Sequence, residues 1–246
     1  MTDGTLPVML RKLLVVLLVV TAAAAVHAMP RPPAASSMTV SHKVLWNGVQ
    51  VAVVKEQFEK RDGRYHIVSK SDPVGLFALA QRRPATLTSS GRVSEGGRQP
   101  ERFEGGRGAD DARRVSAEFD WAGERLTFTH DGKSERVALP AATQDRLSIM
   151  YQFMFFSYEG RREIDFPMTN GRKLDHYRYV ITHDVEIDTP LGRMKTLHLV
   201  KQRAPDDTQT EVWLSPQHHH LPVKLLIVEN DGTRYEEIMT GLEVQP

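Results

Sequence analysis

Cysteine is absent from this 246-residue chain. Its absence excludes disulfides, thiolate metal sites and a thiol nucleophile together, leaving burial and hydrogen bonding to stabilise the fold. An excess of charge is missing as well. The net charge is +1, and without residues 1–28 the basic and acidic groups number 30 each. Nucleic-acid binding needs a concentrated basic surface, and electrostatic attachment to anionic lipid needs a polybasic cluster, so composition argues against both. Catalytic signatures are lacking too. There is no Gly-x-Ser-x-Gly elbow, no phosphate loop and no His-Glu-x-x-His pair.

What is present begins with an export pattern. Arg11 and Lys12 precede an apolar core from Leu13 to Val20 that continues through Ala22 to Ala25, and Val26-His27-Ala28 offers small residues for a signal peptidase. Residues 1–28 are therefore expected to be a cleaved signal peptide, which places the remainder outside the cytoplasm. A retained anchor is the alternative, but a bilayer span takes about 20 apolar residues. The run here is shorter and ends before Pro30, Pro32 and Pro33. A lipoprotein would need a cysteine after the cleavage point. Residues 29–37 read as a linker and residues 38–246 as a single antiparallel β domain.

The β assignment rests on turns and alternation. Asn47-Gly48, Asp62-Gly63, Asp131-Gly132, Asn170-Gly171 and Asp231-Gly232 are two-residue hairpin signatures. Val115, Ala117, Phe119 and Trp121 fall on one side of an extended segment, with Ser116, Glu118 and Asp120 on the other. Tyr177, Tyr179, Ile181, Val185 and Ile187 share a parity in the same way, as do Leu221, Val223, Leu225 and Ile227. Antiparallel strands with one wet face and short turns form a meander.

One segment breaks this rhythm. From Asp145 to Tyr158 the residues Leu147, Met150, Tyr151, Met154 and Tyr158 recur at helical spacing, and Ile149, Phe153 and Phe156 widen the apolar surface. Thr143 or Asp145 is available as N-cap and Gly160 as a stop. A helix this apolar must be buried or face a ligand, and a buried strand is the competing assignment. Between Gly91 and Arg114 the chain is rich in Gly and Arg with interspersed acids, which predicts a mobile solvated loop rather than an anion site.

Candidate chemistry is sparse. In His218-His219-His220 at most two rings would share a face of a strand, and the flanking prolines point to a loop, so no metal site is assigned. His130-Asp131-Gly132 reads as a turn. His183 shares parity with Ile181 and Val185, which predicts a core histidine with a hydrogen-bond partner. The carboxylate pairs Asp110-Asp111 and Asp206-Asp207 sit in turns. Trp46, Trp121 and Trp213 lie at or near strand ends, where they close a core or line a mouth.

Several phrases occur in a characteristic order. They are Ser90-Gly91 with Gly97 and Pro100, Phe119-Asp120-Trp121, Gln144-Asp145-Arg146-Leu147-Ser148 with Tyr151-Gln152-Phe153, Thr189-Pro190-Leu191-Gly192, Glu211-Val212-Trp213-Leu214, Leu221-Pro222-Val223 and Asp231-Gly232. In these the chain resembles the exported bacterial family called domain of unknown function 3108, over nearly all of the mature chain. The resemblance implies a periplasmic, mostly antiparallel β-protein of Gram-negative bacteria, and supplies no activity or catalytic residues. The layout is also similar to periplasmic lipoprotein carriers and their outer-membrane receptors, in architecture alone.

The expected fold is all-β: a long curved sheet or incompletely closed barrel with one principal apolar helix on its concave face. Lys195 and Lys201 are expected to discourage pairing at exposed edges. No catalytic, metal or cofactor residues are assigned. The expected role is a non-catalytic binder or carrier of an apolar envelope ligand such as a lipid or acyl chain. One alternative is a periplasmic hydrolase using His183, Asp184 or Glu211. The other is an assembly module that binds an envelope protein through a strand edge.

Overall fold

Alternating apolar and polar side chains build a sheet wherever turn residues let the chain reverse, and among the described residues they build one sheet of fifteen strands. The computed structural model describes residues 36–80, 83–108, 111–204 and 207–245. The expected signal peptide and residues 29–35 of the linker lie outside them, and Ser37 is already the first residue of a strand.

The first half of the chain contributes β1 (Ser37–Trp46), β2 (Val49–Arg61), β3 (Arg64–Pro73), a short helix α1 (Leu76–Ala80), β4 (Ala85–Ser94) and β5 (Gly97–Gly106). It continues with β6 (Val115–Asp120), β7 (Arg125–His130) and β8 (Lys133–Ala138). The second half holds β9 (Gln144–Asp145), a helix α2 (Ser148–Gln152), β10 (Glu163–Thr169) and β11 (Leu174–Thr189). The chain finishes with β12 (Gly192–Lys201), β13 (Gln209–Ser215), β14 (Leu221–Val228) and β15 (Arg234–Gln245). The spatial order runs from β8 down to β1, then β15 down to β9. The first and last strands therefore pair at the centre, and β9 on β10 is a parallel pair. The ends β8 and β9 do not pair with each other, so the sheet is open.

Local chemistry explains most of the turns. Asn47-Gly48, Asp62-Gly63 and Asp131-Gly132 have positive φ at both residues, as the tightest hairpins demand. The other two pairs depart from expectation and sit in longer loops. Asn170 Oδ1 accepts the backbone N–H groups of Arg172 and Lys173, and Asp231 Oδ1 accepts that of Thr233. These side-chain bonds replace the mirror-image turn.

Four further expectations are corrected. The Gly- and Arg-rich stretch is not a mobile loop: it supplies the end of β4 and all of β5. Its charges are paired: Glu101 takes Arg64 and Arg92 of the neighbouring strands, and Glu104 takes Arg102 of its own strand and Arg114 just before β6. Glycine is required at position 91, because an added Cβ would lie 2.2 Å from the Gln99 carbonyl oxygen.

Lys195 and Lys201 lie on β12, an interior strand. The edge that carries charge is β8, with Lys133, Glu135 and Arg136 exposed. The single parity along β11 also fails. A bulge between Thr182 and Val185, with Asp184 at φ +56°, adds one residue to the strand. Tyr179 and Ile181 consequently join one apolar cluster, and Val185 and Ile187 pack on the other.

The long helix is replaced by a shorter device. Residues 144–145 form β9, α2 spans five residues, and Phe153–Phe155 continues as a 3-10 turn. The N-cap of α2 is Leu147, without a side-chain cap bond; Asp145 precedes it in β9, its Oδ1 accepting the backbone N–H groups of Leu147 and Ser148 at 2.9 and 2.8 Å. The segment is apolar all round because it lies between two cores. Leu147, Tyr151 and Met154 join the cluster built on Phe58, Ile67, Phe103 and Phe128. Ile149 and Phe153 join the cluster built on Phe166, Tyr179, Leu199 and Leu214. A short plug thus covers apolar sheet surface that would otherwise face water.

Candidate functional site

The densest collection of ionisable groups lies where this plug meets the sheet. Glu56 shares its strand parity with Val54 and Phe58, so alternation carries a carboxyl group into the core. Tyr151 donates its hydroxyl hydrogen to Glu56 Oε2 at 3.0 Å, and its ring stacks on Phe58 at 5.3 Å. Burial raises the Glu56 carboxyl above its ordinary range. His42 of β1 is also buried, which holds its ring below the ordinary histidine range. Its Nδ1 lies 3.4 Å from Glu237 Oε1 of β15, without hydrogen-bond geometry. Burial raises Glu237 as well. Charged forms of all three are thus disfavoured at one place in the sheet.

Arg98 of β5 sits on the other side of the plug. Its guanidinium donates to the Tyr151 carbonyl oxygen and lies 4.8–5.5 Å from the ring centres of Phe58, Tyr151 and Phe155. Burial draws it down to about 10, and Nε has no hydrogen-bond partner. Cation–π attraction offsets part of that desolvation. Around it the amide groups are spent on backbone. Gln152 Oε1 accepts the Arg98 N–H at 2.7 Å, and Gln144 Nε2 donates to the Arg98 carbonyl at 2.9 Å. Asp145 completes the network: its Oδ2 accepts Ser89 Oγ at 2.6 Å, and Ser89 pairs with the Tyr65 hydroxyl at 3.1 Å. Apart from the Ser89–Tyr65 bond between β4 and β3, these bonds tie β9 or α2 to β2–β5. The arrangement is a polar fastener, not an acid–base pair facing a cleft.

The sequence candidates for hydrolysis do not converge. His183 is exposed on the β11 bulge rather than in the core, with its Nε2 bonded to the Arg161 carbonyl at 2.9 Å. Its partner exists, but the extra residue turns the ring outward. Asp184 is exposed beside it. Glu211 lies on β13 and pairs with His198 at 2.7 Å. That histidine stacks on Trp213 at 4.3 Å, and Trp213 in turn lies under Lys224 at 5.1 Å.

The histidine triplet is divided among structural tasks. His218 Nδ1 bonds Ser215 Oγ at 2.9 Å, His219 and His220 take left-handed φ, and His220 packs on Tyr158 at 4.7 Å. Among the described residues no group of three or more His, Asp or Glu side chains is placed to hold a metal ion. His130 and Asp131 form a hairpin turn that also takes Arg172 at 2.6 Å. Asp111 and Asp207 bind backbone N–H groups and Lys201, while Asp110 and Asp206 lie outside the described residues.

Space for a ligand is limited where it is seen. A cavity of about 240 Å³ opens beside β4 and β5, lined by Thr86, Thr88, Glu104 and Arg114. That is below the size of ordinary small-molecule pockets, and its walls mix polar and apolar surface. Apolar surface instead gathers at one end of the central strands. Trp46, Val49 and Tyr235 stand in register there, and Phe77 of α1 meets Trp46 edge-on at 5.9 Å. Leu76 and Leu79 of the same helix are 81% and 76% exposed.

Comparison with protein families matches residues 41–239 to the family described as protein of unknown function DUF3108. The chain belongs to the DUF3108 family. Comparison with curated proteins found no match. Among solved structures, the chain is similar to a β-barrel-like protein of domain of unknown function DUF1849 from Brucella abortus. The identity is 8% and the TM-score 0.52, with 86% of this chain and 99% of that one covered. An exported protein with a YmcC-like fold from Bacteroides fragilis also aligns, at 7% identity and TM-score 0.32, over 86% of this chain and 97% of that one. The first likeness shows a shared fold and nothing about chemistry.

In this DUF3108 chain the residues that sequence reasoning missed are Glu56, His42 and Arg98. A signal for Glu56 was present, since a carboxylate at the buried parity of a regular strand is an anomaly. For Arg98 there was none, because its neighbours are glycine, glutamine and proline.

Proposed function

We propose that this chain is an exported, non-catalytic binder of an apolar envelope ligand, which it engages on its outer surface at the α1 end. The observation that carries this reading is a contrast of burial. The plug residues Leu147, Ile149, Tyr151, Phe153 and Met154 spend their apolar area on the protein's own two cores. Leu76, Leu79, Val49 and Trp46 leave theirs in water. Contiguous exposed apolar surface of this kind marks an interaction site. The export pattern of residues 1–28 supplies the compartment, and the periplasm is where such a ligand would be met. Among the described residues no helix is long and apolar enough to cross a membrane.

A fluorescent fatty acid titrated into the purified protein tests the reading, with mass spectrometry of co-purified lipid as a second readout. Saturable binding that weakens in Leu76→Ser/Leu79→Ser is expected. Binding that ignores this substitution would place the ligand elsewhere, and no binding at all would leave the reading without support.

A further inference from the structure

We propose that the turn His218-His219-His220 is an acid-operated latch on the plug, closed while its imidazoles are neutral and released when they take up protons. The proposal is independent of the α1 surface. The latch joins β13 to β14 through a 3-10 turn at Pro216–His218. The His219 N–H bonds the Pro216 carbonyl at 3.2 Å, and the His220 N–H bonds the Ser215 carbonyl at 2.8 Å. His219 and His220 then sit at φ +55° and +62°. Two successive left-handed residues are disfavoured for L side chains, so the closed turn is held under strain. Its grip on the plug is direct. The His220 ring centre lies 4.7 Å from that of Tyr158, and the buried Tyr158 hydroxyl donates to the Phe153 carbonyl at 2.9 Å. Phe153 is the C-cap of α2, so His220 backs the side chain that clamps the end of the plug. Phe156 and Phe166 of the second core lie beside this clamp.

Protonation works against this closed state in three ways. The imidazoles are consecutive, so a second proton meets a charge already on its neighbour. His218 and His220 are half-buried, and burial together with His219 holds both below the ordinary histidine range. His218 Nδ1 also shares a hydrogen bond with Ser215 Oγ at 2.9 Å. A charged ring can only donate there, so the hydroxyl hydrogen of the fully buried Ser215 needs another acceptor. Attraction between a charged His220 and the Tyr158 face offsets part of this. No carboxylate does the rest. Among the described residues the histidines paired with acids are His42, His130, His176 and His198. The 3-10 turn packs on β12, which carries Arg193, Lys195, His198 and Lys201 and no acid. On β13 and β14 the charged groups are Glu211 and Lys224, already paired with His198 and Glu236. On the plug side Tyr158 is followed by Glu159, Arg161 and Arg162, all exposed. The latch is therefore whole above 6.5 and opens as pH falls through the folded values. Its release frees the end of the plug over the second core.

Hydrogen exchange read by mass spectrometry tests the proposal on the protein as purified from cells. Peptides spanning Leu147 to Tyr158 are compared at about pH 7.5 and about pH 5.5, with the intrinsic pH effect on exchange removed. Wild type should exchange at least about fivefold faster at the lower pH. His220→Phe keeps a ring on Tyr158 but takes no proton, and should lose most of that difference. Equal exchange of wild type at the two pH values would overturn the proposal. So would a response that survives His220→Phe, and its loss in His42→Gln would then assign the switch to the Glu56 cluster at Tyr151. A second measurement needs no substitution. Imidazole NMR titration of wild type should place the His218 and His220 midpoints below 6.5. Midpoints at or above that value would overturn the latch whatever the variants do.

Discussion

Tyr151 and Glu56 lie 95 positions apart in the chain, and the hydroxyl of one donates to the carboxyl of the other at 3.0 Å inside the sheet. This bond joins the plug of the second half to the central strands of the first. It is a stability device, since neither group faces a cleft.

Removing the donor should therefore cost stability. Tyr151→Phe keeps the stacking on Phe58 but leaves the buried Glu56 carboxyl with Ser69 in place of two side-chain donors, for a loss of about 1–3 kcal/mol. Urea unfolding followed by circular dichroism would measure it. A change below about 0.5 kcal/mol would mean that the Ser69 bond alone satisfies Glu56.

The same cluster sets a pH dependence with two limbs. Burial raises Glu56 and Glu237 above their ordinary value, so the folded state holds protons that the unfolded chain releases. Their contribution is complete below the unfolded carboxyl value near 4.5 and is lost as pH rises through the folded values. His42 is lowered, so its contribution is complete above 6.5 and is lost as pH falls through its folded value. Unfolding free energy measured across this range should change slope in Glu56→Gln, which removes the carboxyl limb for that residue. Identical pH profiles for wild type and variant would contradict the assignment.

Arg98 gives a test of desolvation against packing. Arg98→Met removes a buried charge and keeps most of the volume between Phe58, Tyr151 and Phe155, whereas Arg98→Ala leaves a cavity. The methionine variant should be the more stable of the two by about 1–3 kcal/mol. The reverse order in thermal or urea unfolding would show that filled volume is not what Arg98 supplies to this site.

Two glycines should respond unequally. An alanine Cβ at position 91 would lie 2.2 Å from the Gln99 carbonyl oxygen and 2.8 Å from Pro100 Cα, backbone that cannot step aside without opening β4 from β5. Gly91→Ala should cost more than about 3 kcal/mol. Gly48→Ala meets open space and carries only the strain of φ +83°, about 1–2 kcal/mol. Comparable losses in the two variants would argue against the close approach.

The exposed edge offers a last test. Lys133, Glu135 and Arg136 line β8, and charged edges resist pairing with other chains. Glu135→Val/Arg136→Val should raise self-association, read by analytical ultracentrifugation across concentration. A variant that stays as monodisperse as wild type would remove this role from the edge.

Much of the β architecture was legible in the sequence for local reasons. Asn47-Gly48 and Asp62-Gly63 reverse the chain because both residues accept positive φ. Ala117 and Phe119 point inward because side chains alternate. The β11 bulge was not legible, because whether an extra residue breaks a parity depends on the partner strand. Arg98 was hidden for a similar reason. Nothing in a Gly- and Arg-rich stretch marks one arginine for a core of three aromatic rings.

The sequence by itself determined the strands, most of their reversals and the presence of one segment too apolar to be wet. These follow from interactions within a few residues, which any fold must respect. Only the tertiary structure decided that this segment would be a short plug between two cores, that Glu56, His42 and Glu237 would meet beside it, and that α1 would keep its leucines in water. Those outcomes depend on which distant strands become neighbours. Strand order is set by the burial of the whole sheet, not by any local pattern.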